Sequence, residues 1–79
     1  MIRVQLTISG KVQNVFFRVN AQQKAQQLFI KGWVANNADG TVTIVAEGAE
    51  NQINDFIDWC HSGPSTAHVQ TVHVDPIPT

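Results

Sequence analysis

Seventy-nine residues, 43% hydrophobic and 14% charged with a net charge of −1, describe one domain with a single core that buries roughly 60 to 65% of the unfolded chain's surface. That balance excludes a disordered chain and speaks against nucleic acid as the main partner, and no apolar run reaches membrane-spanning length. A single cysteine, Cys60, excludes an internal disulfide and a cysteine-rich zinc site.

Met1-Ile2-Arg3-Val4-Gln5 alternates polar and apolar residues where a signal peptide would carry an apolar block, so a cytoplasmic location with no membrane partner is expected. His61, His68 and His73 have neither metal-ligand spacing nor nearby acidic partners in sequence, so surface or edge positions and no metal are expected. All five basic residues (Arg3, Lys11, Arg18, Lys24, Lys31) precede all six acidic ones (Asp39, Glu47, Glu50, Asp55, Asp58, Asp75). Unless folding mixes the two halves, this split steers a small anion toward the N-terminal half.

Ile2, Val4, Leu6 and Ile8 alternate with Arg3, Gln5, Thr7 and Ser9, the period-two signature of a strand with one buried face. The stretch Gly10 to Arg18 then leads from that strand into a helix, and a loop feeding a helix N-terminus offers unpaired N–H groups and the positive end of the helix dipole. Arg18 adds a planar fork of donors suited to phosphate. This is not the P-loop pattern, because no Gly-Lys-Ser/Thr follows the glycine.

Phe17, Ala21, Ala25 and Leu28 recur at helical spacing, and Gly32 is read as the C′ stop. Trp33 to Asn36 and Thr41 to Ala46 flank Asn37-Ala38-Asp39-Gly40, whose Asp-Gly predicts a hairpin. Ile53, Phe56, Ile57 and Cys60 stripe a second helix over Ala49 to His61, ended by Gly63 and Pro64. In the last segment, Ala67 to Val74, Ala67 and Val69 share one face while Val72 and Val74 share the other. A bulge near Gln70 or Thr71 would turn all four inward. The order β-α-β-β-α-β predicts an α+β, ferredoxin-like antiparallel sheet with two helices packed on one face, a single domain over residues 1–79.

Gly10-Lys11-Val12-Gln13 with Val15, Phe17 and Arg18, then Gly32-Trp33-Val34, Asn36 and Asp39-Gly40, then Gly63-Pro64, Ala67 and Val69, together resemble the acylphosphatase family. The resemblance implies hydrolysis of the carboxyl-phosphate bond of small acyl phosphates, with inorganic phosphate as product and without metal or cofactor. It implies that Arg18 binds phosphate, that the loop Gln13, Asn14, Val15, Phe16, Phe17 and Arg18 cradles it, and that Asn36 positions the attacking water.

Three departures stand out. Asn14 occupies the usual place of a second glycine, which costs roughly 1 kcal/mol if that position needs φ > 0. Ala35 stands where a basic residue is common. Residues 75–79 read as a short tail where relatives usually add a strand, which leaves a monomer with an open sheet edge capable of edge-strand association. Two other readings are weighed: a non-catalytic phosphate-binding module that kept the cradle, and an RNA-binding domain of the same fold. The second lacks outward aromatics on strands one and three, where Arg3, Gln5, Thr7, Thr41, Thr43 and Val45 are expected.

Overall fold

The computed structural model describes residues 1–78, so Thr79, the end of the expected tail, lies outside the described residues. The chain runs β1 (Ile2–Lys11), α1 (Phe17–Gln27), β2 (Lys31–Asn36), β3 (Val42–Gly48), α2 (Glu50–Ser62) and β4 (His68–Pro76). The antiparallel sheet has the order β2-β3-β1-β4. β1 is therefore central, which its sequence anticipates: Val4, Leu6 and Ile8 are buried while the residues between them are half-exposed. Both helices cover the face carrying those three side chains.

The core joins β1 and β3 (Val42, Ile44, Ala46) to Ile53, Phe56 and Cys60 of α2. Each fully buried aliphatic or aromatic side chain stabilises the fold by about 1.5–3 kcal/mol relative to exposure. The stripe expected on α2 is the face it buries, with Ile57 half-buried at its margin. Trp59 extends this face by packing against Phe17, at a ring separation of 5.5 Å, and against Phe56 at 6.1 Å. Gly63, at φ 64, closes α2 through its N–H to the Trp59 carbonyl. A Cβ there would lie 2.9 Å from the Phe17 ring, so the glycine also lets α2 approach the start of α1.

The predicted bulge is present: Ser9 pairs with Thr71 and Gly10 with Val69, leaving Gln70 as the extra residue. Its effect on phase is as expected, since Ala67, Val69 and Val72 pack on the core. Val74 departs from the expectation and remains 36% exposed although it lies across from the buried Leu6, since β4 is an edge strand with no neighbour on its outer side. β4 continues past its expected end at Val74 through Pro76, and the Ile77 amide still donates to the Arg3 carbonyl. Residues 75 and 76 thus belong to the ladder rather than to a tail.

The end of α1 corrects the sequence reading. Gly32 is not its stop: Leu28 caps the helix and Phe29 takes the left-handed conformation (φ 58). Gly32 lies inside β2 at φ 145, where a Cβ would fall on the Val45 carbonyl oxygen. Its glycine requirement comes from the neighbouring strand rather than from the helix. The charge halves also mix: Glu47 lies across from Arg3 on one side and Lys31 on the other, at the sheet end away from the 12–16 loop.

Burial pushes the Cys60 thiol up to about 12. The unfolded thiol ionises near its ordinary value of 9.0 while the folded one stays protonated. Its contribution to stability is therefore complete below pH 9 and is lost between about 9 and 12. We expect an alkaline fall in unfolding free energy approaching 1.4 kcal/mol per pH unit in that window. Denaturant melts against pH for wild type and Cys60→Ala should show the variant with a flatter slope; equal slopes would refute the assignment.

Candidate functional site

β1 ends at Lys11 and α1 begins at Phe17, so five residues reverse the chain. Val12 and Val15, with Phe17 after them, are buried, whereas Asn14, Phe16 and Arg18 are exposed. The core thus holds one set of side chains and the loop projects the other. Asn14 (φ 61) and Phe16 (φ 63) both adopt the left-handed conformation. Position 14 does require positive φ, and asparagine is the non-glycine residue that tolerates it best. Left-handed residues within a turn orient successive N–H groups to one side, a backbone arrangement that binds anions.

The helix start adds to this. Phe16 is the N-cap residue of α1 and provides no side-chain cap, and no acidic residue lies in the first turn. The first hydrogen bond of the helix is that of the Asn20 N–H to the Phe16 carbonyl, which the Asn20 side-chain amide also bonds at 2.8 Å. The N–H groups of Phe17, Arg18 and Val19 precede it and are left as donors at the positive end of the dipole. Arg18 is exposed. Among the described residues the imidazole–carboxylate pair lies elsewhere, His73 hydrogen-bonded to Asp75 at 3.1 Å. That pair corrects the reading of His73: residues two apart on a strand share a face, so Asp75 is its acidic neighbour.

The loop is held from two sides. The Gln13 side-chain amide donates to the carbonyls of Asn37 (2.7 Å) and Thr41 (2.9 Å), tying the loop to the β2–β3 turn. The Thr66 hydroxyl donates to the Val15 carbonyl from the segment before β4. Gln13 was expected within the cradle itself. Its side chain braces the loop, which leaves its backbone amide for a ligand, and Val15 and Phe17, being buried, likewise have only their backbone to offer. Neither Thr66 nor the bracing role of Gln13 has a local signal, since the partners lie 51, 24 and 28 residues away.

Asn36 is the last residue of β2, across from Val42, whose side chain is in the core. Asn36 therefore lies on the helix-bearing side of the sheet, at the same end as the 12–16 loop, and is exposed. Its neighbour Asn37 has a different task, donating its amide to the hydroxyls of Thr41 (2.9 Å) and Thr43 (2.7 Å). Ala35 falls on the opposite face, with Lys31 and Trp33. Asp39, held below the ordinary carboxylate range by hydrogen bonds from the Thr41 hydroxyl and amide, completes the turn.

A cleft of about 480 Å³ between α1 and β2 is lined by residues such as Ala21, Ala25, Ile30, Val34 and Phe56, and neither Arg18 nor Asn36 borders it. Its walls are mostly apolar and Lys31 is the titratable side chain among them, so the shallow surface at the loop is the stronger candidate for phosphoryl chemistry. That surface combines uncapped amides, a guanidinium and a carboxamide, a set that can hold a tetrahedral anion and orient a water beside it.

The family model described as Acylphosphatase matches residues 4–79. An acylphosphatase of Marinobacter nauticus is 46% identical over 76 residues, covering 96% of this chain and 83% of that protein. The crystal structure of acylphosphatase from Bacillus subtilis superposes with a TM-score of 0.96 at 33% identity, covering the whole of this chain and 88% of that one. An acylphosphatase structure from Coxiella burnetii gives 0.94 at 39% identity, covering 98% and 81%.

Proposed function

The chain belongs to the acylphosphatase family, and from that premise we propose how its residues divide the work of hydrolysing small acyl phosphates. It is a hydrolase acting on acyl phosphates. Relatives that share this much of its sequence are acylphosphatases, which favours turnover over a module that only binds phosphate.

In this reading the amides of the 13–18 loop and the Arg18 guanidinium hold the phosphoryl oxygens. The amide oxygen of Asn36 holds a water in line with the bond to be broken. The water oxygen bonds to phosphorus, the bond from phosphorus to the acyl oxygen breaks with its electron pair leaving on the carboxylate, and the water proton passes to solvent. A carboxylate leaves readily, so the task is positioning and charge stabilisation rather than strong base catalysis. The observation that carries this reading is the uncapped α1 N-terminus with an exposed arginine in its first turn, facing the same end of the sheet as Asn36.

The test is release of carboxylate and phosphate from benzoyl phosphate by purified protein in the presence of EDTA. Folded protein without turnover would refute the reading. Inorganic phosphate should compete with substrate and raise the melting temperature, since a ligand of the folded state alone stabilises it by about 2.7 kcal/mol at a hundredfold excess over Kd. The Arg18→Ala protein should not respond. Equal stabilisation of both proteins would indicate nonspecific salt exclusion instead of a site.

A further inference from the structure

Three consecutive apolar residues, Val15, Phe16 and Phe17, cross the loop; the first and last are buried, and Phe16 is 70% exposed. It is a bulky aromatic in the left-handed conformation (φ 63, ψ 17), where such residues are outliers that persist because the surroundings impose them. Its carbonyl is pinned by both nitrogens of Asn20, and the buried side chains on either side fix the backbone. The ring is thus presented to water by a rigid frame, two residues before Arg18. Val19, 51% exposed, follows at i+3 and extends the same apolar surface along α1.

We propose that Phe16, with Val19, forms an acyl-group subsite that gives the enzyme a preference for acyl phosphates with aromatic or large apolar acyl groups. The inference rests on the phosphoryl-cradle reading above. It follows from connectivity: the acyl carbon is joined to phosphorus through one oxygen, so a phosphoryl group held by the 13–18 amides and Arg18 must deliver its acyl portion to the loop's rim. The exposed ring that this loop offers is Phe16. Offset stacking of an aryl acyl group on it, and removal of both apolar surfaces from water, favour benzoyl over acetyl. The Phe16 backbone is part of the cradle, so its variants alter the phosphoryl step for every substrate. The ring's contribution is isolated in the ratio of two substrates.

The experiment measures kcat/KM for benzoyl phosphate and acetyl phosphate with wild type, Phe16→Ala, Phe16→Gly, Phe16→Tyr and Arg18→Ala. The benzoyl-to-acetyl ratio should fall about tenfold in the alanine and glycine variants and stay near the wild-type value in Phe16→Tyr. The glycine variant should also melt higher than the alanine variant, because it relaxes the positive φ. An unchanged ratio in both small variants, with both substrates slowed alike, overturns the subsite while leaving the cradle intact. Turnover of both substrates that is indifferent to Arg18→Ala overturns the cradle, and the subsite with it.

Discussion

Arg18→Ala is expected to lower kcat/KM for acyl phosphates by 10³-fold or more, the scale on which a guanidinium stabilising phosphoryl-transfer charge is felt. Stability should stay within about 0.5 kcal/mol of wild type, as for an exposed substitution that removes neither packing nor a cap. The structure supports this separation, since Arg18 is exposed, while the loop is braced by Gln13 and Thr66. Lysine at the same position keeps the charge and discards the planar fork, so Arg18→Lys should still lose roughly 10²-fold and bind phosphate less tightly. Steady-state kinetics with phosphate inhibition, alongside thermal melts, measure all three quantities. Near-normal activity in the lysine variant would eliminate the bidentate clamp.

The elements that were legible in the sequence owe their form to local pattern. β1 declares itself by strict alternation and α2 by its Ile53, Phe56, Cys60 stripe, and the out-of-phase valines of β4 require the extra residue that Gln70 supplies. The elements that were misread depend on contacts remote in sequence. Gly32 looks like a helix stop, but the carbonyl of Val45 on the adjacent strand dictates it, and no spacing rule encodes that approach. The stop itself is Phe29, an aromatic in the left-handed conformation, which helix-capping preferences would not select.

The candidate site divides in the same way. The free donors at the start of α1 could be read from the loop's own residues, whereas the positive φ at position 14 was raised only by the resemblance, which puts a glycine there. The brace from Gln13 could not, because its acceptors become neighbours only when β2 and β3 pair. The outward aromatic Trp33, 54% exposed on β2, also escapes an inspection confined to strands one and three. It stands alone on an edge strand, whereas stacking of successive bases needs several such rings on the sheet.

Asn36→Ala should lower kcat by roughly 10²-fold, the cost of losing one group that orients or stabilises the transition state, while KM and the phosphate inhibition constant change little. The argument turns on the adjacent asparagine. Asn37 spends its amide on Thr41 and Thr43 within the hairpin, whereas Asn36 is exposed at the strand end that faces the loop. The two therefore make a matched pair of tests. Asn37→Ala should destabilise by about 1–2 kcal/mol through its lost hydrogen bonds and reduce activity only as far as the hairpin loosens. Asn36→Ala should retain the wild-type melting temperature and lose turnover. Rates, inhibition constants and melts on both variants decide the matter. If phosphate affinity collapsed with kcat in Asn36→Ala, this carboxamide would belong to the cradle rather than to the water, and the attacking water would be held by another group at the loop.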